Sequence, residues 1–247
     1  MAAHGLSSES RESLMNWVYY HETMAQFGQI YWTRDSRIER CRRKMALNLR
    51  ESSEEPAVQN VPVTIGCSSN VLDSIWEIFE VTYRHNTSTS DRQRLLGLGS
   101  QLRSELSTFL PSGPVEEVQS SSRTTALHCL AALIYLNRAA LGYDGTEPAH
   151  QALVNEGLRM MSNLQSCETP WPLFIIACEA LTDPQRITVL QIVSKSKKES
   201  GTGHLDRVQG LIEAVWNYDD LGPDLVLDYH TKLQSVVQAA PWMPPFA

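Results

Sequence analysis

Between Ala126 and Leu136 every side chain except that of His128 is apolar. Such a segment has no polar face to turn toward water, so neighbours must cover it on all sides. With its flanks it predicts a helix over Thr124 to Leu141 at the buried centre of a bundle. Neither this stretch nor Leu173 to Cys178 is long enough to span a bilayer, which takes about 20 apolar residues.

The remaining chain supplies helices to cover that centre. Leu14, Trp17, Val18, Met24, Phe27 and Tyr31 keep to one side of a helix. A charged helix is expected from Ser36 to Arg50, then a polar loop to Pro62. Further helices are expected over Val71 to Arg84 and Asp91 to Leu110, and from Pro148 to Leu164. Thr169-Pro170 and Asp183-Pro184 repeat one start signal, a capping side chain followed by proline, and open two short helices. Lys195 to Gly203 reads as a polar loop, Leu205 to Trp216 as a helix, and Pro223 as the opening of the last one. Strand alternation is weak and confined to Val61 to Ile65. The fold class is all-α: one domain over residues 1–247 of roughly nine or ten helices, with flexible tails at 1–10 and 241–247.

Composition narrows the function. A net charge of −7 repels phosphate backbones on average. Arg34, Arg37, Arg40, Arg42, Arg43, Lys44 and Arg50 form a basic stretch, but Asp35 and Glu39 interrupt it and no stacking aromatics accompany it, so it reads as a solvated helix face. Direct nucleic-acid binding and membrane insertion are not expected. The five cysteines lack Cys-x2-Cys spacing, which argues against a zinc cluster or a disulfide framework and fits a reducing compartment.

No constellation is spaced for chemistry. His128 and Cys129 are adjacent, so they point about 100° apart on a helix and do not face each other as base and nucleophile. His128 reads as a satisfied core histidine. Asp219, Asp220 and Asp224 resemble an aspartate-rich magnesium motif, but Gly222 and Pro223 break the helix between them, and capping is the better account. No catalytic, metal-ligating or DNA-binding residue is assigned, and no cofactor is expected.

Three segments resemble the fungal-specific transcription factor domain, the regulatory half of zinc-cluster activators. Ile65-Gly66-Cys67-Ser68 before Val71 to Ile75 is similar to its glycine-centred turn. Ala131 to Arg138 is similar to its central helix. Pro170-Trp171-Pro172-Leu173-Phe174-Ile175-Ile176-Ala177-Cys178-Glu179-Ala180, followed by Arg186 and later Trp216, is the most specific match. The zinc cluster itself is not among these residues. The resemblance implies a nuclear regulatory module that binds proteins of the transcription machinery, or itself, and a small apolar effector. Trp171, Pro172, Leu173, Phe174, Cys178, Glu179, Trp216, Tyr135 and His128 are the motif residues and the candidate pocket lining. Glu179 is expected to pair with Arg186. The alternative is a stand-alone biosynthetic helper or enzyme that holds a hydrophobic metabolite on the same scaffold, and would be cytoplasmic.

Overall fold

The computed structural model describes residues 8–32, 67–83, 88–109, 120–200, 203–221, 228–244 and 246. Among them are nine helices: α1 (Ser8–Trp32), α2 (Ser69–Tyr83), α3 (Thr89–Phe109), α4 (Ser120–Ala139), α5 (Pro148–Ser162), α6 (Pro170–Cys178), α7 (Asp183–Ser200), α8 (His204–Leu221) and α9 (Tyr229–Ala239). The fold is all-α, as the helical spacing predicts.

Helix α4 is the axis. Every residue from Thr125 to Asn137 is buried. Helices α2, α3, α5, α6 and α9 pack around it. The nine residues of α6 are also all buried, between α4, α5 and α8. Gly157 of α5 lets these helices approach closely: a Cβ there would lie 2.8 Å from Ile176 Cδ1. Helix α1 lies on α2 and α9, while α7 covers α5 and α8 from outside.

Local chemistry sets the helix starts. Ser88 and Asp91 cap α3 reciprocally: the Ser88 N–H donates to Asp91 Oδ2 (2.9 Å) and the Asp91 N–H to Ser88 Oγ (3.1 Å). The two proline-marked starts are where the sequence places them, but their caps differ. Thr169 makes no side-chain capping bond. At α7 the cap is Thr182, whose Oγ1 accepts from the Gln185 N–H at 3.4 Å, while Gln185 Oε1 accepts from Leu181 N and Thr182 N at 2.9 and 3.0 Å.

Four expectations are corrected. Helix α7 is not short, and Lys195 to Ser200 continues it instead of forming a loop, because its polar side chains have partners. The Cys167 N–H donates to Ser196 Oγ (2.8 Å) and Lys195 Nζ donates to the Leu164 carbonyl (2.5 Å). The last helix opens at Tyr229, where Asp228 accepts from the Thr231 N–H at 3.0 Å, six residues after Pro223, which lies outside the described residues. Helix α1 begins at Ser8, inside the stretch expected to be a tail. Residues 241–244 and 246 are irregular, but Phe246 is 1% exposed and its ring lies 5.1 Å from that of Phe27 and 4.8 Å from that of Phe174, which a flexible tail would not give. The helix, loop and weak strand expected between residues 36 and 65, and the basic stretch, lie outside the described residues.

Candidate functional site

The motif residues gather in two buried places. The first is an aromatic centre around Phe27 of α1. Its ring is 4.9 Å from Tyr31, 5.6 Å from Phe79, 5.5 Å from Tyr135, 6.0 Å from Trp171 and 6.1 Å from Phe174, mostly edge to face. That geometry suits aromatic quadrupoles and adds about 0.5–1.5 kcal/mol per pair to the burial itself. The Tyr31 and Tyr135 hydroxyls bond each other at 2.8 Å, and Thr82 Oγ1 lies 3.5 Å from the latter. Burial pushes both phenols above their ordinary pKa, so they stay protonated.

His128 borders this centre. Its ring stacks on Trp171 at 6.2 Å and meets Tyr20 edge-on at 5.6 Å. Its Nδ1 lies 2.8 Å from the Thr124 carbonyl, which accepts, so the ring proton is on Nδ1. Burial depresses its pKa to about 4, against a smaller opposing effect of that bond. The ring is neutral at neutral pH. Its Nε2 and the Trp171 indole N–H have no hydrogen-bond partner among the described residues. The core histidine is therefore only half satisfied.

The second place is a polar corner at the end of α6. Glu179 is 2% exposed. Arg138 Nε lies 3.1 Å from its Oε2 and 3.2 Å from its Oε1, and His150 Nε2 lies 3.2 Å from Oε2. Asn137 Nδ2 approaches His150 Nδ1 at 3.4 Å; with the amide donating there, the imidazole proton sits on Nε2 and points at the carboxylate. Burial raises the Glu179 pKa, but the His150 bond, the Arg138 guanidinium and Lys232 outweigh it and hold the carboxyl below its ordinary range. Arg138 Nη1 also donates to the Tyr143 carbonyl (2.5 Å) and its guanidinium lies 4.9 Å over the Tyr229 ring. One buried charge thus ties together α4, α5, α6, α9 and the 141–147 turn. Gly145 completes the corner at φ +96°, where a Cβ would stand 2.9 Å from Glu179 Oε2.

The expected Glu179–Arg186 pair does not form. Arg186 reaches the other way, with its Nη1 and Nη2 on Asp220 Oδ2 and Oδ1 at 2.7 and 2.9 Å, its Nε on the Ala180 carbonyl (3.2 Å) and its guanidinium 5.3 Å over Trp216. The capping account of the aspartates is also corrected. Asp219 and Asp220 lie inside the last turns of α8 and each holds a cation, Lys232 at 3.0 Å and Arg186. Asp224 is outside the described residues. Among the described residues no group of three or more His, Cys, Asp or Glu side chains is placed to hold a metal ion. No described helix is long and apolar enough to cross a membrane. Burial raises the thiol pKa of Cys67, Cys129, Cys167 and Cys178, the opposite of what a nucleophile needs.

Residues 1–238 match the family described as Fungal specific transcription factor domain. The chain belongs to that family. One relative, Transcription factor iacI of Pestalotiopsis fici (strain W106-1 / CGMCC3.15140), is 27% identical over 243 residues, an alignment covering 94% of this chain and 58% of the relative. The chain therefore spans less than two thirds of that protein's length. No solved structure matches the chain.

The motif of this fungal-specific transcription factor domain divides between the two places. His128, Tyr135, Trp171 and Phe174 belong to the aromatic centre. Cys178, Glu179 and Trp216 belong to the corner, where the Trp216 indole N–H donates to the Ala177 carbonyl at 2.9 Å. Pro172 and Leu173 are buried in α6 between them. Sequence reasoning missed Phe27 and Phe79 as partners of Trp171, Tyr31 as the partner of Tyr135, Phe246 as a partner of Phe174, and Arg138 and His150 as partners of Glu179. Helical spacing marks the first three as core but does not say which rings meet. Nothing in the spacing marks Phe246, or links His150 to an acid 29 residues away.

Proposed function

We propose that this chain is the regulatory part of a nuclear transcription regulator and acts by docking a partner protein on the outer face of α7. The observation that carries this reading is the character of that face. Ile187, Leu190, Gln191, Ser194, Lys195 and Lys198 line a shallow depression of about 410 Å³. Ile187 is 53% exposed and Leu190 39% exposed, although the opposite side of the helix buries Val189, Ile192 and Val193. The lining follows helical spacing, so α7 offers one apolar strip with lysines at its carboxy-terminal end.

The charge there is unlike that of the chain as a whole. The net charge is −7, yet none of the six lining residues is acidic and two are lysines. The surface that complements it is an amphipathic helix with apolar anchors and acidic flanks, laid along α7 as helices lie in grooves. This favours an acidic partner over a second copy of α7, which would set lysine against lysine.

The test joins the chain to an unrelated DNA-binding domain and reads a reporter in a fungal host. Ile187→Glu and Leu190→Glu are expected to lower output several-fold while the melting temperature stays within about 2 °C, as exposed substitutions away from packed features do. Unchanged output with both substitutions in place would remove the α7 face from the function.

A further inference from the structure

We propose that the junction of α1, α4 and α6 is a binding site for the hydroxyl group of a small, otherwise apolar molecule, held between His128 Nε2 and the Trp171 indole N–H. This goes beyond partner docking and concerns a different part of the molecule.

Two buried polar atoms sit on stacked rings at this junction. His128 and Trp171 are both 0% exposed, and neither His128 Nε2 nor Trp171 Nε1 has a hydrogen-bond partner among the described residues. Buried polar groups are nearly always satisfied, so two orphans on stacked neighbouring rings, 6.2 Å apart and 22° from parallel, offer partners to one further group.

Their chemistry limits what that group is. His128 Nδ1 donates to the Thr124 carbonyl, so Nε2 is an acceptor. An indole N–H only donates. A group that satisfies both must accept one hydrogen bond and donate another through the same small centre, which describes a hydroxyl. A ketone or ether lacks the donor. A carboxylate or phosphate lacks it too and would bring charge among aromatic rings, at high cost. An ammonium lacks the acceptor. The neutrality of the imidazole, enforced by burial, keeps Nε2 from becoming a second donor.

The neighbouring side chains favour an alcohol over a water molecule. A buried water typically makes about three hydrogen bonds. Here the two stacked rings offer two polar atoms unpartnered among the described residues, and the neighbouring rings are the Tyr20 phenol beside His128, with Phe27 and Phe79 beside Trp171 at 6.0 and 5.6 Å. The faces of these rings suit the carbon skeleton of an alcohol better than a third water contact. The site is shared by three helices, so a ligand that prefers one spacing of α1 against α4 and α6 biases their arrangement by its differential affinity.

The experiment uses the whole chain and follows the Trp171 indole N–H resonance, assigned by its loss in Trp171→Phe. Cyclohexanol is titrated against cyclohexanone, which has the same ring and accepts but does not donate. The alcohol is expected to shift the Trp171 resonance saturably and to bind at least about tenfold more tightly than the ketone, because the ketone leaves His128 Nε2 unsatisfied. His128→Phe, checked for retained helicity, is expected to abolish that difference. If this variant does not fold, the alcohol–ketone comparison on the unaltered chain decides alone. Equal shifts by the two probes, or a Trp171 resonance that shows only contact with bound water and ignores the alcohol, would overturn the proposal. Neither outcome bears on the α7 face, whose test is the reporter.

Discussion

The aromatic centre and the Glu179 corner are both shut away from water and share α4 and α6, but they are held by opposite physics. At the centre, rings from α1, α2, α4 and α6 meet edge to face around Phe27, and the stabilisation is removal of apolar area from water. At the corner, a carboxylate with 3% side-chain exposure is balanced by Arg138 and His150. An apolar contact degrades gradually when atoms are removed. A buried charge network fails at once when one partner is lost, because the other charge stays buried. The centre therefore weakens in proportion to what is removed, and the corner fixes how the ends of α4, α5 and α6 meet α9.

This contrast can be broken by substitution. Trp171→Ala is expected to cost the most, about 3–5 kcal/mol by chemical denaturation, because the large ring leaves a cavity lined by Phe27 and Phe79. Glu179→Ala is expected to cost about 3 kcal/mol, and Glu179→Gln less, because the amide oxygen still accepts from His150. If Glu179→Ala proves neutral, the corner is not the junction described.

Acid sharpens the comparison. The His128 pKa is lowered by folding, so the unfolded chain binds the proton more readily. Stability at the centre is then full above the ordinary histidine value of 6.5 and is lost as pH falls toward about 4, by up to about 3 kcal/mol. The Glu179 pKa is also lowered, so the corner keeps its contribution above the ordinary carboxyl value of 4.5 and loses it only as pH falls below that. The expected melting curves show two acid windows, and His128→Phe removes the upper one only. The smallest effect belongs to the surface: Arg186→Ala loses a pair whose aspartate side chain is 52% exposed, worth no more than about 1 kcal/mol in a double-mutant cycle with Asp220.

The same contrast explains what the sequence made legible. Apolar periodicity carries the fold, so the all-round apolar run at Ala126 to Leu136 identified the axis, and Pro170 and Pro184 marked two helix starts. Periodicity does not report pairings between distant polar residues. Glu179 and Arg186 are close in sequence and suggested a pair, but Glu179 is satisfied from α4 and α5, and Arg186 turns to α8. Polar composition also misled at Lys195 to Ser200, where Ser196 and Lys195 spend their polarity on the Cys167 amide and the Leu164 carbonyl and the helix runs on. Phe246 was unreadable for the opposite reason: a single ring after two prolines has no period, and only its seat between Phe27 and Phe174 reveals it.

Docking of the partner protein belongs to the outer face of α7, apart from both interior places. The most direct measurement compares reporter output with melting temperature in Leu190→Glu and Glu179→Gln, assayed at a temperature where both are folded. The account predicts that Leu190→Glu loses output with its melting temperature unchanged, and that Glu179→Gln melts several degrees lower yet keeps its output. The reverse pattern, with output lost at Glu179 in a folded protein and untouched at Leu190, would contradict it.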